Sequence, residues 1–168
     1  MREYLNTRFI NGCISGLLLV AFMAHAAFGS LAVRWGRVSS LSMLIWLGVA
    51  LMLAHLVLCI LTSQQMLTDK VRPPSARKQR HLVLKWLTGA ALMVVAVAHI
   101  AAIRCGLPFN GWVFIVIALL LLLTLASHAI VGTKSLLKDL NLPRTLRLPL
   151  RLLITATSLA PAIIILWP

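Results

Sequence analysis

Five long apolar segments constrain this 168-residue chain more than any other feature of its sequence. They span residues 9–33, 41–62, 82–103, 112–132 and 150–167. Each is close to the roughly 20 residues that a helix needs to cross about 30 Å of hydrocarbon. With 61% hydrophobic and 11% charged residues, the chain lacks the polar side chains for a water-facing surface. The sequence predicts one all-α domain, residues 1–168: an integral membrane bundle of five transmembrane helices, the first retained rather than cleaved as a signal peptide.

The charges predict how this bundle is oriented. The chain carries 16 lysines and arginines and a formal net charge of +13. In a five-helix topology, all of them except Arg34, Arg37 and Arg104 fall on one side of the membrane. The positive-inside rule therefore predicts a cytoplasmic N-terminus and a C-terminus outside. Nothing in the pattern indicates nucleic-acid binding. Contact of the basic face with membrane lipid or with an acidic soluble partner remains open.

The acidic residues and cysteines exclude two classes of membrane protein. The three acidic residues lie outside the apolar segments: Glu3, Asp69 and Asp139. No carboxylate is therefore available inside the membrane for a proton relay or cation transport. The three cysteines have neither redox nor metal-site spacing: Cys13, Cys59 and Cys105. We interpret them as small packing residues, which argues against a thiol oxidoreductase.

Four of the five histidines lie inside the apolar segments, one in each of the first four: His25, His55, His99 and His128. Ionisable side chains at such depth are costly and indicate function. From the helical rise, His25 and His99 lie about 12 and about 6 Å from the outer ends of their segments. His55 and His128 lie about 10 and about 6 Å from the inner ends. The sequence thus predicts an outer pair and an inner pair, in layers about 15 Å apart.

This separation favours one kind of cofactor. A single metal ion with ligands at about 2 Å cannot collect imidazoles from both layers. A haem takes one axial imidazole from each of two helices and supplies four ring nitrogens itself. Small residues near the ligands, such as Gly29, Ala102 and Gly132, leave room for a macrocycle. The pattern predicts two b-type haems stacked across the membrane. The alternative is four interhelical hydrogen-bond donors without a cofactor.

The plan of helices and ligands resembles a known family. Thr88 and Gly89, with His99 ten residues after the glycine, are similar to the Thr-Gly and ligand spacing of that family's third helix. His128 followed by Gly132 is similar to the His-x-x-x-Gly of its fourth helix. The family is that of the five-helix dihaem cytochrome b subunits that anchor succinate dehydrogenases and fumarate reductases, the succinate:quinone oxidoreductases.

The resemblance implies a distal haem held by His25 and His99 and a proximal haem held by His55 and His128. It also implies a non-catalytic subunit in the cytoplasmic membrane of a prokaryote. The subunit would carry electrons between a membrane quinone, menaquinone being expected, and cytoplasmic flavoprotein and iron-sulphur subunits. A dimer of such complexes is compatible with this plan, and the direction, succinate oxidation or fumarate reduction, is left open.

Polar residues at the two membrane boundaries are candidate contacts for haem propionates or for quinone. At the outer boundary they include Arg34, Arg37, Ser39, Arg104 and Trp112, and at the inner boundary Arg80, His81, Lys85 and Lys134. The alternative for each of them is simple snorkelling to the interface. The chain is shorter than typical members and lacks the glutamates that some members use in quinol proton chemistry.

Two other functions are considered. The cytochrome b subunit of a nitrate reductase or hydrogenase often has two ligand histidines on one helix, whereas here four helices carry one each. A haem-free transporter or assembly factor would use the histidines structurally or as proton carriers. The lack of membrane carboxylates and of a repeat between the halves counts against a transporter.

Overall fold

The computed structural model describes residues 2–35, 42–69, 73–108 and 111–166. Within these ranges the chain forms five α-helices and no strand. In chain order they are α1 (Arg2–Trp35), α2 (Ser42–Leu67), α3 (Ala76–Arg104), α4 (Trp112–Asp139) and α5 (Arg144–Leu166). All five are long and apolar enough to cross a membrane. The predicted all-helical, multi-pass architecture is therefore confirmed.

The helices match the apolar segments at one end of the bundle and extend beyond them at the other. The extended end, called the inner end below, is formed by Arg2, Leu67, Ala76, Asp139 and Arg144. There each helix continues for about one and a half turns past its apolar segment. The added turns are rich in Arg, Lys, Gln and Leu, which are good helix formers. Apolarity therefore ends before helicity does.

Helix α4 lies at the centre of the packing. It is closely packed against α1, α3 and α5, while α2 packs against α1. The buried face of α4 runs along the whole helix and includes Phe114, Ala118, Leu122, Ala129 and Leu137. Its alanines allow neighbouring backbones to approach. All five helices also expose large apolar side chains, as expected for surfaces that face lipid.

Residues in the left-handed conformation follow the C-terminal ends of α3 and α4. Gly106 has φ 70° and follows α3, and Asn141 has φ 55° and follows α4. In both turns, backbone N–H groups return to the last helical carbonyls, as from Leu107 to Ala102 and from Leu142 to Leu137, each 3.1 Å. This is the Schellman arrangement, for which Gly and Asn are the favoured residues. The turns reverse the chain, so that α3, α4 and α5 run alternately up and down.

Candidate functional site

A cavity of about 490 Å³ lies between the first four helices, in the inner half of the bundle. His55 of α2 and His128 of α4 both line it. Most of its wall is apolar, with contributions from Leu, Met, Phe and Val side chains. Besides the two histidines, the polar residues of the wall include Asn11, Ser15, Cys59, Ser63, Lys85, Thr133, Ser135 and Asp139. The structure thus brings the predicted inner pair to one cavity of ligand-binding size.

The ring of His55 is held by helix α1. Its Nδ1 lies 2.9 Å from Ser15 Oγ and 3.1 Å from Asn11 Oδ1. The Ser15 hydroxyl already donates its proton to the carbonyl oxygen of Asn11, at 2.6 Å. Both oxygens can therefore only accept, so Nδ1 carries the hydrogen and donates it. The neutral ring then has its lone pair on Nε2, where the only described contact is a weak one from Cys59 Sγ at 3.5 Å.

The ring of His128 is held in the same way by helix α3. Thr88 Oγ1 donates to the carbonyl oxygen of Leu84 at 2.9 Å and lies 3.1 Å from His128 Nδ1. Because its proton is used, the threonine oxygen accepts from Nδ1–H, and the lone pair of His128 is again on Nε2. In metal sites, the ring nitrogen of a ligand histidine that does not bind the metal almost always donates its hydrogen to an acceptor in this way.

Gly89 allows His128 to approach α3 closely. A Cβ atom at this position would lie 3.2 Å from His128 Cε1 and 3.5 Å from His128 Nδ1. The contact with Cε1 is tighter than usual, so the ring or the helix would have to shift by a few tenths of an ångström. The Thr-Gly pair therefore has two separate physical roles here: the threonine orients the imidazole, and the glycine gives it space.

The outer pair has different surroundings. The rings of His25 and His99 are 6.5 Å apart between centroids, and their planes are 84° apart. The ring of Phe114 lies 5.3 Å from that of His99. Both Nδ1 atoms are buried without a hydrogen-bond partner. Imidazoles on opposite sides of one metal ion, each bonded at about 2 Å, have centroids about 6 Å apart, so the separation fits two axial ligands.

The two pairs share a relation to the helix packing. His25 and His99 lie on α1 and α3, and His55 and His128 lie on α2 and α4. Neither α1–α3 nor α2–α4 is among the closely packed helix pairs of the described residues. Each histidine pair therefore spans a separation between helices, as a macrocycle between two axial ligands requires. No three His, Cys, Asp or Glu side chains of the described residues form a metal-binding group.

The predicted boundary residues are not gathered around these pairs. Arg37 and Ser39 lie outside the described residues, and Arg34 is known only as a position in α1. Arg104 is exposed, and Trp112 is 77% exposed at the start of α4. At the inner end, Arg80 and Lys134 are exposed, while His81 places Nε2 3.5 Å from Ser135 Oγ. Lys85 alone among the inner candidates lines the cavity. The roles of these residues stay predictions.

Sequence reasoning did not find several residues that shape the site. Asn11 and Ser15 were available as a signal, because they are polar, one turn apart and inside an apolar segment. The ion pair between Arg8 and Asp139, at 2.6 Å, joins α1 to α4 at the inner end. It had no sequence signal, since the two residues are 131 positions apart.

Comparison with other proteins adds no relative: no protein-family model, curated protein or solved structure matches the chain. A function is therefore inferred from the four histidines, the groups that orient them and the space between their helices.

Proposed function

We propose that this chain is the dihaem cytochrome b membrane subunit of a respiratory oxidoreductase of the succinate dehydrogenase or fumarate reductase kind. One haem b would be held by His25 and His99, and the other by His55 and His128. The subunit would carry electrons between a membrane quinone, menaquinone by the family resemblance, and flavoprotein and iron-sulphur subunits at the inner end. Its place would be the cytoplasmic membrane of a prokaryote.

One observation carries the proposal: two imidazole pairs at two depths, each across helices that do not pack closely. The outer pair supports it by the 6.5 Å ring separation and the two buried Nδ1 atoms without partners. The inner pair supports it by the cavity and by hydrogen bonds that leave both Nε2 lone pairs available. A purely structural histidine needs neither the cavity nor the free lone pair.

The residues divide the work of an electron carrier between them. A bound haem supplies a one-electron iron couple, whose potential depends on its ligands and surroundings. The four imidazoles would hold the two haems, one pair of histidines for each. Ser15, Asn11 and Thr88 fix the inner rings and increase the basicity of their Nε2 atoms. Because the lining of the inner site is mostly apolar, a net charge there is costly unless a nearby charged group compensates it.

The ends of the bundle would serve the two electron-transfer partners. At the outer boundary, Arg104 and Trp112 are the exposed candidates for quinone contacts. The inner end carries most of the basic residues and extends past the apolar segments, which suits a soluble partner with an acidic face. Copurification of flavin and iron-sulphur absorbance with the natively extracted chain tests this part of the proposal.

Optical spectroscopy tests the haems. The chain, extracted from its native membrane, should show the reduced-minus-oxidised bands of b-type haem, and a pyridine haemochromogen assay should give about two haems per chain. Natively purified protein without haem would contradict the proposal and favour a haem-free transporter or assembly factor. A single haem would leave one of the two pairs with a structural role.

A further inference from the structure

One cation faces the inner cavity. Lys85 of α3 is half-buried and belongs to the cavity wall. Its Nζ donates to Ser135 Oγ of α4 at 3.4 Å. Among the described residues it forms no ion pair with a carboxylate. A half-buried ammonium beside apolar side chains is costly unless an anion compensates it. Lys85 therefore lacks a partner of opposite charge within the described part of the chain.

The two carboxylates whose side chains the structure describes, Asp69 and Asp139, form no ion pair with Lys85. Asp139 also lines the cavity, but Arg8 NH2 contacts its Oδ1 at 2.6 Å, and the exposures of the two side chains are 32% for Arg8 and 11% for Asp139. Asp69 is exposed at the end of α2 and is not part of the cavity wall. The charge of Asp139 is thus compensated by Arg8 rather than by Lys85.

The position of Lys85 relates it to the inner histidines. It precedes Thr88 and Gly89 by three and four residues on the same helix, and residues at these spacings share one helix face. Thr88 and Gly89 are the two residues that contact His128. Along the α3 axis, Lys85 therefore lies about one helical turn, about 5 Å, from Thr88 towards the inner end. Lys85 and His128 line the same cavity, so one occupant can contact both side chains.

We propose that Lys85, assisted by the Ser135 hydroxyl, binds a carboxylate of the molecule that occupies the inner cavity. The inference rests on the proposed function, in which this carboxylate is a propionate of the inner haem. A fatty acid would present the same chemistry to the same pair of side chains. In either case Lys85 selects an anionic occupant and fixes which end of it faces the inner boundary.

The test compares a carboxylic acid with its ester. The full chain, prepared in detergent without haem, is titrated with iron protoporphyrin IX and with its dimethyl ester, following the Soret band. The wild type should bind two equivalents of the porphyrin. For one of them, the affinity should be about tenfold or more higher for the acid than for the ester, the effect of one charged hydrogen bond. Lys85→Gln should abolish this preference, and Lys85→Arg should keep most of it.

A matched control separates the site from general charge effects. Lys78 is an exposed lysine on the same helix, so Lys78→Gln removes the same charge away from the cavity and should keep the wild-type preference. Because the preference is a ratio within each variant, differences in protein yield cancel. Helical circular dichroism and gel filtration in detergent establish that each variant is folded.

The outcomes distinguish this inference from the function on which it rests. If haem binds but Lys85→Gln keeps the wild-type preference for the acid, the carboxylate site is wrong and the haem function stands. The same holds if the wild type binds haem without such a preference. Failure of every chain to bind haem overturns the proposed function. Titration with spin-labelled stearate then decides: binding weakened about tenfold by Lys85→Gln supports a fatty-acid carboxylate at this site, and equal binding rejects it.

Discussion

In the inner pair, His55 and His128 each donate Nδ1–H to a side chain on a neighbouring helix, whereas in the outer pair both Nδ1 atoms are buried with no partner. The inner rings also border a cavity and a cation, while the described ring neighbours of the outer rings are each other and Phe114. Each site contains two histidines, but hydrogen bonds hold the inner rings, whereas packing against other rings holds the outer ones.

The two sites therefore differ in how far they are preorganised for a ligand. At the inner site, the fold itself selects the tautomer and the ring orientation before anything binds. At the outer site, two buried nitrogens are unsatisfied, at a cost of about 1–3 kcal/mol each. A ligand at the inner site would bind the free Nε2 atoms and leave the Nδ1 hydrogen bonds in place. A ligand that bonds the outer Nδ1 atoms would remove this cost and stabilise the bundle.

The largest effect is expected from removing a ligand. His99→Ala should lose the outer haem and retain the inner one, and His55→Ala should do the reverse, so that each variant has about one haem per chain. The pyridine haemochromogen assay, normalised to protein, measures this.

Double replacements test the pairing itself. The His25→Ala/His99→Ala chain removes both ligands of one site and should keep one haem. The His25→Ala/His55→Ala chain takes one ligand from each site and should keep none. Equal haem contents in the two double variants would show that the pairs are not formed as assigned.

The next effect is expected at Gly89, the glycine of α3 against which the His128 ring packs. Gly89→Ala places a Cβ 3.2 Å from His128 Cε1 and should weaken inner haem binding about tenfold, with Gly89→Val weaker still. The outer haem should be unaffected. Haem retention during dialysis, followed at the Soret band, measures the change.

Gly48→Ala is the matched control, since a Cβ at Gly48 meets nothing within 4 Å. It adds the same methyl group to a helix of the same bundle. If both glycine variants lose haem equally, the cause is helix packing in general rather than the contact with His128.

A smaller effect is expected from the ion pair at the inner end. Arg8→Met leaves the mostly buried carboxylate of Asp139 without its described partner and should destabilise the fold by about 1–3 kcal/mol. Thermal release of haem should then begin at a lower temperature for the inner haem than for the outer. The Arg8→Met/Asp139→Asn chain removes both charges and should recover part of the loss. No recovery would mean that the pair itself contributes little.

The sequence predicts the helices well because burial in lipid requires long apolar stretches. The five helices and their outer ends follow from the positions of the apolar segments, within about two residues. The inner ends cannot be predicted in this way, because an apolar segment stops at the first charged residues. The helix itself continues, as α3 does through Arg77, Lys78 and Gln79. The length of an apolar segment reflects the thickness of the membrane, whereas backbone hydrogen bonding determines where the helix ends.

The site divides in a similar way. The depth of each histidine can be calculated from its position in a helix, but depth does not determine rotation about the helix axis. Which side chain meets Nδ1, such as Ser15 at His55 or Thr88 at His128, depends on how neighbouring helices are turned and how far apart they pack. The cavity and the exposure of Arg80 and Lys134 depend on the same rotations and had no signal in a single sequence.

The smallest effect is electronic and would sharpen the comparison most. Thr88→Val keeps the shape of the side chain but removes the oxygen that accepts Nδ1–H from His128. The imidazole then donates less electron density to the iron, oxidised iron is less stabilised, and the inner midpoint potential should rise by on the order of 20–40 mV. The outer potential should not move, because its histidines have no such hydrogen bond to lose.

Thr124→Val is the control for this measurement. Thr124 bonds only to the carbonyl oxygens of Leu120 and Leu121 in its own helix, so its replacement should change neither potential. Redox titration of the haem absorbance bands resolves the two sites if their potentials differ. A shift of the outer potential in Thr88→Val, or equal shifts in both variants, would mean that the inner hydrogen bonds orient the rings without tuning them.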